Sequence, residues 1–101
     1  MVLLRVCKIT ELEPGHATRV AAASPVAVFR LGDEFYATDD TCTHAQASLA
    51  EGYIAGDAVE CAFHSAKFCI RTGQVRSLPA TRPLRTYPVK IVGDEIYVDL
   101  E

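Results

Sequence analysis

The segments Cys42-Thr43-His44 and Cys61-Ala62-Phe63-His64 carry most of the chemical information in this chain. Residues 45–60 separate them, and each segment combines one thiol with one imidazole. Two thiolates and two imidazoles can hold a 2Fe–2S cluster, with two cysteines on one iron and two histidines on the other. The sequence therefore predicts a metal centre. Its expected ligands are Cys42, His44, Cys61 and His64.

The spacing within each segment fits this arrangement. In an extended loop, residues i and i+2 point to the same side, so Cys42 and His44 can reach both irons from one loop. Cys61 and His64 have one more residue between them and need a tighter turn. Imidazoles in place of two thiolates make the cluster less negative, which eases the addition of an electron and raises the reduction potential.

Composition and charge narrow the class of protein. The chain has 101 residues, half of them hydrophobic, which is enough for one domain with an ordinary core. A net charge of −3 argues against nucleic acid or an anionic membrane as the main partner, because both select basic surfaces. No apolar run has the length of a membrane span, and Arg5 interrupts the apolar start too early for a secretory signal. We therefore expect a cytoplasmic protein.

Two further cysteines lie outside these segments. Cys7 and Cys69 occur in runs typical of strands, so we expect each to be a small buried hydrophobic residue. A disulfide between them, or a reactive thiol, is the alternative.

Short runs rich in Val, Ile, Phe and Tyr alternate with turn residues, which is typical of an all-β barrel or sandwich. The predicted strands are Leu3–Ile9, Arg19–Ala22, Val26–Leu31, Glu34–Thr38, Ala58–Cys61, Lys67–Arg71, Gln74–Leu78, Leu84–Val92 and Glu95–Leu100. Residues 39–66 are instead rich in small and turn-forming residues. We expect a single domain, 1–101, in which a base of residues 1–39 and 67–101 carries a loop-rich metal-binding insertion at about 40–66.

A short pattern occurs twice in the chain. Leu31-Gly32-Asp33-Glu34 is similar to Val92-Gly93-Asp94-Glu95, and in both a Gly-Asp pair separates β-rich runs. This predicts two tight hairpins within the same sheet system.

The two metal-binding segments resemble the signature of the Rieske family, Cys-x-His followed after a spacer by Cys-x-x-His. The resemblance covers nearly the whole chain and is closest to the small Rieske-type ferredoxins of bacterial aromatic-ring-hydroxylating dioxygenase systems, such as those acting on biphenyl or cumene. Residues 40–44 and 49–52 are similar to that group's first cluster loop and its continuation. Residues 59–64 and 67–73 are similar to its second loop and the strand that follows.

The resemblance implies an all-β fold, a Rieske-type antiparallel sandwich or barrel with an inserted loop-rich cluster-binding subdomain. It implies one 2Fe–2S cluster, with Cys42 and Cys61 on the inner iron and His44 and His64 on the outer, redox-active iron. The expected function is electron transfer and not catalysis. Single electrons arrive from an NADH-dependent flavoprotein ferredoxin reductase and leave for the terminal oxygenase of the dioxygenase system. These two proteins are the expected partners, without nucleic acid, membrane or small-molecule substrate.

Rieske proteins of cytochrome bc complexes differ from this chain at the cluster loops. They carry an additional cysteine in each loop, joined as a disulfide, and a serine two residues after the second ligand histidine that donates to a sulfide. Here Ala45-Gln46-Ala47 and Ala62-Phe63 contain no cysteine, and Ala66 occupies the serine position. Fewer donors imply a lower reduction potential.

Two other interpretations remain open. In one, the chain is a Rieske-like small subunit of another reductase or oxygenase, such as an assimilatory nitrite reductase, although that group lacks the cluster ligands. In the other, the two cysteines and two histidines hold a structural zinc ion, although zinc modules usually place their cysteines together and their histidines together.

Overall fold

The computed structural model describes residues 2–42, 47–62, 66–77 and 82–100, and these form β-strands and short 3-10 turns. The strands are β1 Leu3–Lys8, β2 Ala17–Val20, β3 Val26–Leu31, β4 Glu34–Asp39, β5 Tyr53–Ala55, β6 Ala58–Glu60, β7 Lys67–Cys69, β8 Val75–Ser77, β9 Thr86–Tyr87, β10 Val89–Val92 and β11 Glu95–Asp99. The 3-10 turns are Ile9–Glu11 and Leu49–Glu51. Within these ranges no residue is in an α-helix, and no helix is long and apolar enough to cross a membrane.

The strands form three antiparallel sheets. The first sheet has the order β1-β11-β10, the second β2-β3-β4-β9 and the third β5-β6-β7-β8. This arrangement confirms the predicted all-β antiparallel fold. The first two sheets contain strands from both ends of the chain, whereas the third is made from the continuous segment 53–77.

Strand β3 lies between two hydrophobic cores. Its residues 26–29 are fully buried, and alternate side chains of a strand point to opposite faces. Val26 and Val28 pack with Ile96 of the first sheet. On the other face, Ala27 and Phe29 pack with the residues that surround the third sheet. The second sheet is therefore the layer that joins the first sheet to the third.

Both predicted Gly-Asp hairpins are confirmed, but they lie in two different sheets. Leu31 pairs directly with Glu34, and Val92 with Glu95, so each connection is a two-residue Gly-Asp loop. The glycines have φ values of 62° and 64°, in the left-handed region that these short loops require. A third such hairpin, Gly56-Asp57, joins β5 to β6. Each sheet thus contains one hairpin of this kind among the described residues.

Most predicted strands are present with ends shifted by one or two residues, and the larger differences have physical causes. The run Leu84–Val92 is divided into β9 and β10 by Pro88, because proline has no N–H to donate to a neighbouring strand. The strand predicted at Arg19–Ala22 lies two residues earlier, at Ala17–Val20, because residues 17–20 are the ones that pair with residues 26–29 of β3. Strand β5 was not predicted, because a three-residue run after Gly52 gives little signal by itself.

The third sheet crosses the boundary that was expected between base and insertion. The sequence-based division assigned residues 67–101 to the base. In the structure, β7 pairs with β6 through Glu60 and Lys67, and β8 pairs with β7. The segment 67–77 therefore shares a sheet with residues of the expected insertion.

The two additional cysteines are not joined. Cys7 is half-buried in β1, and Cys69 is buried in β7 with 6% of its surface exposed. Neither forms a disulfide, so the alternative of a Cys7–Cys69 bond is wrong.

Candidate metal centre

Each predicted cysteine ligand donates a backbone hydrogen bond that closes the loop that follows it. The amide of Cys42 donates to the carbonyl oxygen of Ala47 at 3.0 Å, and the amide of Cys61 donates to that of Ala66 at 2.8 Å. In each loop the acceptor lies five positions after the cysteine, so each loop is closed around the segment that contains the histidine of its motif. A backbone hydrogen bond of the same spacing therefore spans both motifs.

Both cysteines lie in one hydrophobic core. Cys42 is 3% exposed and Cys61 is 1% exposed, and neither forms a disulfide. They pack in a cluster that includes Leu49, Val59 and Phe68. Two buried thiols at the start of two closed loops suit a buried group that takes sulfur ligands, so the described part of the site fits an iron–sulfur cluster.

The histidines of the predicted ligand set, His44 and His64, lie outside the described residues. Within the described ranges, no group of three His, Cys, Asp or Glu side chains could hold a metal ion by itself. The four-residue ligand set Cys42, His44, Cys61 and His64 therefore stays a prediction.

The second loop is the connection between β6 and β7. Glu60 and Lys67 are paired at its base, and their side chains form an ion pair with 3.7 Å between Nζ and Oε1. Ala66, which occupies the serine position of the bc-type proteins, is fully buried. Its carbonyl oxygen closes the loop, and its methyl group has no hydroxyl to donate.

Asp40 connects the two ends of the first loop. Its carboxylate is 2% exposed, and Oδ1 accepts hydrogen bonds from the Ser48 hydroxyl at 2.9 Å and the Ala50 amide at 3.0 Å. Its backbone carbonyl accepts from the Leu49 amide at 2.7 Å. Arg19 supplies the opposite charge, with Nε 3.4 Å from Oδ2. These contacts hold the chain before the first cysteine against the chain after the loop.

The sequence alone favours a solvated turn residue at Asp40, which the structure contradicts. It stands beside Asp39 at the end of a strand, where an acidic residue is usually a solvated turn residue. Its partners come from two places in the chain, Arg19 from β2 and Ser48 and Ala50 from the segment after the first loop, and only the fold brings them together. The one available signal was its position two residues before Cys42, the first predicted ligand.

A network of charged and aromatic side chains joins the second and third sheets. The Arg71 guanidinium donates to Glu34 at 2.5 Å, contacts the Tyr36 hydroxyl and lies 5.1 Å from the centre of the Tyr36 ring. Arg71 is also 3.8 Å from Asp57, which Arg76 binds through both carboxylate oxygens. The hydrogen bond from Arg71 lowers the pKa of Glu34, and that from Arg76 lowers the pKa of Asp57.

Comparison with known proteins agrees with the motifs. Residues 2–88 match the family described as the Rieske [2Fe-2S] domain. The chain is 49% identical over 102 residues to the ferredoxin component of biphenyl 2,3-dioxygenase from Rhodococcus jostii (strain RHA1), covering 100% of this chain and 95% of that protein. It is 46% identical over 95 residues to the 3-phenylpropionate/cinnamic acid dioxygenase ferredoxin subunit of Shigella boydii serotype 4 (strain Sb227), covering 93% and 90%.

A solved structure of a similar chain has the same fold as this protein. A chain in the complex of reduced oxygenase and oxidized ferredoxin in carbazole 1,9a-dioxygenase is 47% identical and superposes with a TM-score of 0.93. The match covers 95% of this chain and 91% of that chain. The family match also favours a cluster over the zinc alternative, because the matching domain is one that holds a [2Fe-2S] group. The chain therefore belongs to the Rieske [2Fe-2S] family and is a ferredoxin of the aromatic-ring dioxygenase type, an electron carrier with one Rieske cluster and not itself an enzyme.

Proposed function

We propose that Cys42 and Cys61 bind one iron of the cluster and that His44 and His64 bind the other. The protein accepts single electrons from an NADH-dependent flavoprotein ferredoxin reductase. It delivers them to the terminal oxygenase of an aromatic-ring-hydroxylating dioxygenase, and it works in the cytoplasm.

The observation that carries this proposal is the pair of matched loops. Each begins at a buried cysteine whose amide is bonded to the carbonyl five positions later, at Ala47 or Ala66. Each encloses the histidine of its motif. One thiol and one imidazole from each of two closed loops supply the mixed ligand set of a Rieske cluster.

When bound, the cluster supplies a centre that gains and loses one electron. The chain's own residues determine how it does so. Leu49, Val59 and Phe68 are fully buried beside the two cysteines and keep water away from the sulfur ligands. Ala66 offers no hydroxyl to a sulfide, which supports a low potential, since hydrogen bonds to the sulfurs raise it.

The relatives support the assignment of partners. One similar chain was solved in a complex of oxygenase and ferredoxin. Two relatives of similar identity are named for biphenyl and for 3-phenylpropionate or cinnamic acid, which are different substrates. We therefore assign the choice of substrate to the oxygenase and electron delivery to this chain. Contact with each partner is expected to be brief and small in area, as is usual for electron-transfer complexes.

The sheet pairing supports a revised domain division. We propose that the cluster-binding part comprises about residues 40–77, because β7 and β8 continue the sheet that begins with β5 and β6. The base would then be built from the first and second sheets. Both parts remain within a single domain of residues 1–101.

The ligand assignment is tested by spectroscopy on protein purified without added metal. The dithionite-reduced protein is expected to give a rhombic EPR signal with an average g value below that of an all-cysteine 2Fe–2S ferredoxin, together with stoichiometric iron and acid-labile sulfide. Cys61→Ser should abolish both the EPR signal and the bound iron and labile sulfide. Cys69→Ser is the matched control, because Cys69 is also buried but lies in β7, and it should retain them. Bound zinc without labile sulfide in the unaltered protein would overturn the assignment.

The electron path is tested with purified partners. Addition of NADH and a flavoprotein ferredoxin reductase of a biphenyl dioxygenase system should bleach the oxidised protein, and addition of the terminal oxygenase should reoxidise it. Reduction by the reductase without transfer to the oxygenase would remove the second partner from the proposal.

A further inference from the structure

A buried carboxylate precedes the first cluster loop. Asp40 follows β4 directly, and its side chain is only 2% exposed. Oδ1 is bonded to the Ser48 hydroxyl and to the Ala50 amide. Hydrogen bonds and an opposite charge can replace the water that a carboxylate loses on burial, and Asp40 has both.

Arg19, which carries the opposite charge, is exposed, whereas Asp40 is buried. Arg19 approaches Oδ2 of Asp40 to 3.4 Å, but its own side chain is 57% exposed. Water and dissolved ions screen an exposed charge far more than a buried one. Arg19 is therefore expected to offset the charge of Asp40 only in part.

We propose that Asp40 lowers the reduction potential of the cluster through its buried charge, and that Arg19 partly offsets this effect. Reduction adds negative charge to the cluster, and a carboxylate in a low-dielectric interior opposes it. Asp40 is then a positioning residue as well, since it ties the chain before Cys42 to Ser48 and Ala50. This proposal depends on the proposed cluster site.

The test is a set of midpoint potentials measured on the loaded protein. Asp40→Asn keeps the size of the side chain and an oxygen that accepts from Ser48 and Ala50, but removes the charge. We expect it to raise the equilibrium constant for accepting an electron about tenfold, which for a one-electron couple is about 59 mV. Arg19→Gln should move the potential in the opposite direction, because it leaves Asp40 uncompensated.

Asp33→Asn is the matched control. It changes the net charge by the same amount, but Asp33 is fully exposed in the β3–β4 hairpin, at the opposite end of β4 from Asp40. Given the rise per residue of a β-strand, Asp33 and Asp40 are roughly 20 Å apart. The potential of this variant should equal that of the unaltered protein.

Several outcomes would overturn the proposal. One is equal potentials in Asp40→Asn and Asp33→Asn. Another is a shift of the same sign in Asp40→Asn and Arg19→Gln, which would indicate a disturbed loop and not a charge effect. If Asp40→Asn does not retain its cluster, Arg19→Gln decides alone: a lowered potential supports the proposal and an unchanged one overturns it. Failure of the ligand assignment is distinguishable, because it would appear in the EPR spectrum of the unaltered protein.

Discussion

Gly52 lies so close to Glu60 that a β-carbon added to it would be 2.3 Å from the Glu60 carbonyl oxygen. Glu60 is the last residue before Cys61, and Gly52 ends the 3-10 turn that follows the first loop. This contact therefore holds the continuation of the first loop against the start of the second. The backbone of Gly52 has φ −79°, which any residue can adopt, so only the lack of space requires glycine here.

We expect Gly52→Ala to displace the chain at Cys61. The cost of forcing a methyl group into such a contact is about 1–3 kcal/mol of unfolding free energy. Denaturant unfolding and the iron content after purification measure the two consequences. Glu51→Ala is the control, because Glu51 is exposed and already has a β-carbon. Equal stability of the two variants would contradict the close contact.

Tyr87 and Asp39 form a hydrogen-bonded pair whose contribution to the stability of the fold depends on pH. The Tyr87 hydroxyl donates to Asp39 at 2.5 Å, and burial together with this bond raises the pKa of Tyr87 to about 12. A phenol whose pKa is raised by folding contributes stability below pH 10.0, its ordinary pKa in an unfolded chain. This contribution is lost as the pH rises through the pKa of the folded protein. Stability should therefore fall between pH 10 and pH 12.

Tyr87→Phe separates this effect from general alkaline denaturation. It removes the hydroxyl but keeps a ring beneath the Arg85 guanidinium, which lies 4.7 Å from the ring centre. We expect a loss of about 1 kcal/mol at neutral pH and a flatter decline above pH 10. Thermal melts at pH 7, 9, 10 and 11 measure both. An unchanged slope in the variant would show that another group causes the decline.

Arg71 should control the ionisation of Glu34. Its hydrogen bond holds the pKa of Glu34 below the ordinary value, so the pair stabilises the fold at neutral pH and the contribution is lost as pH falls through that lowered value. We expect Arg71→Gln to raise the pKa of Glu34, as measured by NMR titration of its carboxyl carbon. Lys90→Gln removes an exposed positive charge from β10 and should leave that pKa unchanged.

Exchange of an imidazole for a thiolate tests the charge argument for the cluster. His64→Cys adds negative charge to the ligand set, so any cluster that assembles should have a lower potential. Its average g value should move toward that of an all-cysteine ferredoxin. EPR-monitored redox titration measures both properties. A rise in potential would contradict the charge argument, and Cys69→Ser should alter neither.

Local patterns predicted the parts of this protein that depend on neighbouring residues. The bounds of β3 at Val26–Leu31 were predicted correctly, because an apolar run ends at a Gly-Asp turn. The motif spacing located Cys42 and Cys61, and the structure places both in closed loops in one core. Pro88 could also have been used to divide the run around it, since its lack of an N–H is evident in the sequence.

Features that depend on distant residues were not predictable from the sequence. The burial of Asp40 depends on Ser48 and Ala50 folding back onto it. The third sheet extends past Ala66 because β7 pairs with β6, and no property of residues 67–69 alone specifies that partner. A three-residue strand such as β5 is stabilised mainly by its neighbour in the sheet, so its own sequence gives little indication of it.

The sheet topology also determines the order in which the sheets can form during synthesis, when the chain emerges from its N-terminal end first. Strand β1 pairs with β11, with Leu3 opposite Asp99, so β1 has no partner in its sheet until residues 95–99 have been made. The third sheet needs only the segment 53–77, and its strands are neighbours along the chain. Short-range contacts of this kind form quickly, whereas long-range pairings are slow. The frame around the second cluster loop can therefore form on the ribosome before the base is complete.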